Sequence, residues 1–177
     1  MHARKFRPNS QSGFTLIEIL IVIVIIGILA AIGLGSFRSS QIKSRDSRRK
    51  SDLKNIATAL ELYYNDKRSY PLGDGSGGLL ACSGSGATCT AGLVMSDGGA
   101  TYMVQFPGDP GSSSYYYDTD ASGSYFRLYA RLENALDSQS AQVGGEAAVY
   151  DGTDCGAAEC NYGISSSNQT LPNPEVP

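Results

Sequence analysis

The stretch FTLIEILIVIVIIGILAAIGLGSF, residues 14–37, decides how the rest of the chain is read. Its one ionisable side chain is Glu18, and the nineteen residues from Ile19 to Phe37 carry no charge. As a helix these nineteen residues reach about 28 Å, close to the ~30 Å of bilayer hydrocarbon, so the sequence predicts a membrane span. A buried core helix would have to be apolar on every face inside a domain with little core to surround it. A cleaved signal peptide would have a shorter apolar stretch and a small-x-small cleavage site after it. Here Ala30, Ala31, Gly33, Gly35 and Ser36 lie within or at the end of the apolar run.

Thr15 and Glu18 have the T-x-x-E spacing of a capping box, which starts a helix at Thr15. A carboxylate this close to hydrocarbon is costly without a partner. The run has no basic side chain to pair with it, so the partner has to come from outside the span.

Working outward, the 177 residues have room for one domain beyond this segment. The net charge of -3 hides a strong asymmetry: residues 1–13 hold three basic side chains, residues 38–54 hold seven basic and two acidic ones, and residues 55–177 hold four basic and fourteen acidic ones. The acidic distal part argues against broad attraction to nucleic acid or anionic lipid. Counting Lys and Arg at the two ends of the span would leave the large C-terminal part in the cytoplasm. The cysteines point the other way. Cys82, Cys89, Cys155 and Cys160 form two closely spaced pairs among Ser, Gly and Thr, without the ligand pattern of a zinc site. Disulfides outside the cytoplasm are the preferred reading, local pairing being favoured over crossed pairing.

Residues 13–33, GFTLIEILIVIVIIGILAAIG, resemble the N-terminal signature of the type IV pilin family, which includes pilins and the pseudopilins of type II secretion. The resemblance implies a basic leader over residues 1–13, cut after Gly13 by a prepilin peptidase, and methylation of the new N-terminus at Phe14. Glu18 would then be the glutamate that faces the N-terminal amine of a neighbouring subunit. The family's orientation puts the leader inside and the C-terminal domain outside, against the charge count. Many relatives have a mid-span proline; this chain has Gly35, with Gly33 beside it. Glycine weakens a helix by about 0.5–1 kcal/mol against ~3 for proline, so any melting would begin there with less of a built-in break.

Beyond the span, residues 38–64 contain no Pro or Gly, and Leu53, Ile56, Leu60 and Tyr63 recur at helical spacing. The helix is expected to continue over residues 38–65 and to stop between Asn65 and Ser69, since the residue before Pro71 is biased away from helix. Residues 14–65 would make about 78 Å of rod. Residues 38–50 are read as a solvated neck, and Asp52, Lys54 and Glu61 as the wet side of the helix beyond it. Residues 66–177 are expected to form a small antiparallel-sheet domain. Strands are expected around 101–106, 115–117 and 125–132, with Phe126, Leu128, Ala130 and Leu132 inward and Tyr125, Arg127, Tyr129 and Arg131 outward. The Gly- and Ser-rich region up to Gly99 is expected to lean on its disulfide in place of core. The fold class is α+β: a long N-terminal membrane-spanning helix with a small antiparallel sheet packed on its distal half.

Catalytic patterns are sparse. His2, the only histidine, lies in the leader, and no phosphate-binding loop occurs. The chain is therefore not expected to be an enzyme, and no cofactor is assigned. Asp118, Asp120 and Ser122 open a D-x-D-x-S-G calcium-type loop, but its twelfth position is Tyr129, so a plain hairpin turn is favoured over a metal. Asn168-Gln169-Thr170 is a formal glycosylation acceptor and is weak by itself. The expected function is a structural subunit of a type IV pilus that polymerises through its apolar helix into a surface filament for adhesion, motility or DNA uptake. The alternatives are a major pseudopilin of a type II secretion system and a membrane-tethered binding module. The implied partners are further copies of the chain, the prepilin peptidase, inner-membrane pilus assembly machinery, and membrane lipid before assembly. Before assembly the chain would be a single-pass protein of the cytoplasmic membrane with its C-terminal domain outside; afterwards it would be part of an extracellular pilus. DNA binding through residues 38–54 is disfavoured, because neighbouring subunits would cover that patch.

Overall fold

The structure is a computed structural model that describes residues 13–84, 86–135, 137–156 and 158–177, without the side chains of 32–36. Residues 1–12 of the expected leader, with His2, and the side-chain positions around Gly33 and Gly35 lie outside the described residues. One long helix, α1 (Leu16–Lys67), runs through two compact units, Met1–Ser40 and Gln41–Pro177.

In the first unit the capping box forms as the sequence spacing requires. The Thr15 amide donates to Glu18 Oε2 at 2.8 Å, and the Glu18 amide donates to Thr15 Oγ1 at 3.3 Å. Large apolar side chains from Leu16 to Leu29 are 49–92% exposed, around the whole circumference of this stretch. Among the described residues, no helix is long and apolar enough to cross a membrane.

In the second unit α1 becomes one-sided. Leu53, Ile56, Ala59 and Leu60 are buried, while Lys43, Ser47, Ser51, Lys54, Asn55 and Thr58 are exposed. The helix ends at Lys67 because Arg68 adopts the left-handed region (φ 62°), while the Arg68 amide still donates to the Tyr64 carbonyl at 2.8 Å.

Among the described residues nine short strands follow: β1 (Leu80–Cys82), β2 (Ala87–Thr88), β3 (Met95–Asp97), β4 (Ala100–Met103), β5 (Tyr116–Asp118), β6 (Arg127–Ala130), β7 (Gln142–Val143), β8 (Glu146–Ala147) and β9 (Tyr162–Ser165). They make a four-stranded sheet in the order β2-β1-β3-β4, a three-stranded sheet β5-β6-β9 and a hairpin β7-β8, with every pairing antiparallel. The main core gathers Leu53, Ile56 and Leu60 of α1 with Leu79, Met95, Phe126, Leu128 and Leu132.

Three expectations are corrected. The three-stranded sheet built from β5 and β6 takes β9 as its third strand, in place of the expected segment at 101–106. Leu128 pairs with Ile164 and Ala130 with Tyr162, while β4 pairs with β3 instead. Gly163 permits this approach, since a Cβ there would lie 2.9 Å from the Tyr129 ring and 3.1 Å from Leu171. Tyr129 is not outward. It is buried in a second cluster with Ala141, Ala148, Tyr150, Cys155 and Cys160, so β6 is covered on both faces. The segment up to Gly99 is more than a stapled loop, because Leu79, Ala81, Cys82 and Met95 are buried members of the main core.

Candidate functional site

Glu18 is placed in the first turn of α1, with Phe14 84% exposed before it. Its carboxylate accepts hydrogen bonds from the Thr15 amide and hydroxyl, both at 2.8 Å, and has no cationic partner among the described residues. Among the described residues, nothing lies within 4 Å of where a Cβ on Gly13 would stand. The geometry presents a continuous apolar helical surface with a single carboxylate near its start.

The part of α1 read as a solvated neck is partly buried, which corrects that reading. Arg49 is 1% exposed and makes hydrogen bonds to three carboxylates. Nε and Nη2 meet Asp109 at 2.6 and 3.0 Å, while Nη1 meets Asp46 at 2.8 Å and Glu133 at 2.9 Å. Arg45 also grips Glu133, and Lys50 meets Asp137 at 2.6 Å. Asp46, itself buried, accepts the amides of Glu133 and Asn134 at 2.9 and 3.0 Å. The FPGDPG turn closes tightly over this arginine: a Cβ on Gly111 would stand 2.8 Å from Arg49 Nη2. These contacts clamp the loops at 107–111 and 131–137 onto α1. Hydrogen bonding to Asp109 raises the Arg49 guanidinium above its ordinary value, and Arg45, then Arg49, pull Glu133 down to about 2. Asp52 is also buried, not wet; it accepts the Tyr115 hydroxyl at 2.8 Å. The sequence signal for this clamp was the density of Arg and Asp at 45–52 together with the GDPG turn, but neither specifies which charges leave water.

The structure joins Cys82 to Cys89 and Cys155 to Cys160, and among the described residues there is no free cysteine. Asp118 forms an ion pair with Arg127 at 3.1 Å. Asp120 accepts the Ser124 amide at 2.7 Å and the Ser122 hydroxyl, so both carboxylates are engaged by protein groups. Among the described residues, no group of three His, Cys, Asp or Glu side chains is arranged to hold a metal. The Asn168 side-chain amide donates to the Ser124 carbonyl at 2.9 Å. Four of the seven cations at 38–54 (Arg45, Arg48, Arg49 and Lys50) pair with carboxylates of the same chain, which weakens that patch as a nucleic-acid surface.

Residues 8–34 match the family model described as the prokaryotic N-terminal methylation motif. The chain is 35% identical over 122 residues to the type II secretion system core protein G of Pseudomonas aeruginosa, covering 69% of this chain and 83% of that protein. This chain belongs to the type IV pilin family. A match of 122 residues extends well past the helix into the sheet domain. The type IV major pilin protein PilA of Myxococcus xanthus is 43% identical over 70 residues, 40% of this chain, and the match spans only 31% of that protein. The fimbrial protein EcpC of Eikenella corrodens is 30% identical over 133 residues, covering 65% of this chain and 87% of that protein. No solved structure matches the chain. Membership of the pilin family implies processing by a prepilin peptidase and polymerisation, and the relatives are filament proteins, not enzymes.

Proposed function

We propose that this chain is a structural subunit of a type IV pilus. In this reading residues 1–13 are removed between Gly13 and Phe14, residues 14–37 sit in the membrane before assembly and in the filament core afterwards, and residues 38–177 form the outer part. The observation that carries the reading is the exposed apolar surface of α1, with Glu18 lacking a cationic partner among the described residues. Cleavage frees an α-amine of reference pKa ~7.7–8, largely charged near neutral pH. Pairing that cation with Glu18 of a neighbour removes part of the desolvation penalty each bears alone and sets the axial register. The inner-membrane assembly machinery and membrane lipid are the other partners.

The test is intact-mass measurement on filaments from the native host, joined to electron microscopy of the Glu18→Ala variant. Loss of residues 1–13 and a sharp fall in filament number with normal processing are expected. A retained leader, or normal numbers of normal-length filaments from the variant, would sink the reading. A second reading, a major pseudopilin of type II secretion, is favoured by the match that spans most of the Pseudomonas aeruginosa core protein G. Filament length in the same micrographs separates the two, since a pseudopilus is short.

A further inference from the structure

Outside the Arg49 clamp and among the described residues, unpaired charges of one sign gather in two places, one acidic in the last third of the chain and one basic on the middle of α1. From residue 132 to 177 the chain has seven acidic and no basic side chains. Glu133 and Asp137 are neutralised by Arg45, Arg49 and Lys50. Among the described residues, none of the remaining five forms an ion pair. Three of these lie along one short stretch: Glu146 on β8, Asp151 five residues on, and Glu175, which is held beside Val149 by two backbone hydrogen bonds of 2.8 Å. All three are exposed.

The opposite sign stands on α1. Lys43 and Lys54 are exposed and have no ion-pair partner among the described residues. They are eleven residues apart, about three helical turns and ~16 Å, so they project from the same side of the helix. Ser47 and Ser51, short and exposed, lie between them on the outward side and leave the approach open. Arg48 is less available, because it is 3.8 Å from Asp52.

A chain with a cationic strip on one element and an anionic strip on another is complementary to itself head to tail. Such a heterologous contact does not close on itself when repeated by a screw rotation, and it builds an open helical filament. We propose that Lys43 and Lys54 of one copy dock on Glu146, Asp151 and Glu175 of a neighbouring copy, a polar contact added to the apolar contact of the N-terminal segment. The proposal rests on the filament reading and assigns the outer domains a share in choosing which copy binds where. Electrostatic complementarity of this kind favours the right partner and register more than it adds affinity.

Charge reversal in the full-length chain, expressed in its filament-forming host, tests it. Lys43→Glu with Lys54→Glu, and separately Glu146→Lys with Asp151→Lys, should each lower filament yield at least fivefold with leader cleavage and both disulfides intact. All four changes in one chain should restore the yield to within twofold, since four of the five docking charges are then exchanged between the two strips. Zero-length carbodiimide cross-linking of filaments assembled from mixed isotope-labelled and unlabelled chains should join Lys43 or Lys54 of one copy to Glu146, Asp151 or Glu175 of another. Normal filaments from either paired reversal, failure of the fourfold variant to recover, or absence of those cross-links would overturn the docking and leave the filament reading standing. An unaltered chain that makes no filament overturns both.

Discussion

Removing the Arg49 side chain should be the most damaging single truncation in the outer domain. Its side chain is 2% exposed, and the side chains of Asp46 and Asp109 that it holds are 3% and 1% exposed. Arg49→Ala leaves two buried carboxylates with backbone amides alone: Glu133 and Asn134 for Asp46, and Gly111 and Ser113 for Asp109. Breaking a buried ion pair from one side costs about 3–5 kcal/mol. The surviving amide bonds argue for the middle of that range, ~4 kcal/mol. For a domain of this size that lowers the melting temperature by roughly 10–15 °C. Arg45→Ala is the control. Its side chain is 34% exposed, so its pair with Glu133 should contribute at most about 1 kcal/mol. Arg49→Lys should fall between, because an ammonium cannot bridge three carboxylates as the guanidinium fork does. Thermal unfolding of residues 38–177, followed by circular dichroism with disulfides intact, reads all three. Arg49→Ala and Arg45→Ala losing the same amount, within 1 kcal/mol, would refute the claim that the buried carboxylates depend on Arg49.

The same network sets the response to acid: Glu133, Asp109 and Asp137 titrate below their ordinary values, so the stability they confer is present above ~pH 5 and is lost as pH falls toward 2, which an acid titration of the fold checks. In alkali the sign reverses, since burial pushes Tyr63 up to about 12 and raises Tyr70, Tyr115 and Tyr117 too; stability should decline as pH rises past ~10. Gly123→Ala should cost more than 2 kcal/mol in chemical denaturation, because φ is 64° and a Cβ would stand 2.4 Å from the Tyr70 carbonyl oxygen; near-neutral behaviour would contradict that packing. The melting temperature of residues 38–177 should be nearly equal in calcium and in chelator, given the protein partners of Asp118 and Asp120, and a large rise with calcium would contradict the plain-turn reading of that loop.

What the sequence disclosed followed from pattern length and specificity. The apolar run, the T-x-x-E cap and the Leu53, Ile56 and Leu60 spacing span many residues of one helix, and SYFRLYARL alternates long enough to fix its inward side. Tyr129 escaped because alternation marks a polar face only when nothing covers it, and the Tyr150 and Cys155–Cys160 segment does so from twenty or more residues away. β9 escaped because YGIS is four residues with a glycine whose purpose is the approach of Tyr129 and Leu171. The buried Arg49 was hidden by composition, since a helix turn dense in Arg and Asp looks the same whether water or a loop stands beside it.

Both disulfides are local, closing seven and five residues of sequence, and neither ties the last third of the chain to α1. Tension entering along the helix would therefore reach the loop at 131–137 through Arg45, Arg49 and Lys50, by bonds that can part and re-form without chemistry. The domain is built to yield first at a reversible seam, with each covalent staple guarding only the small loop it closes.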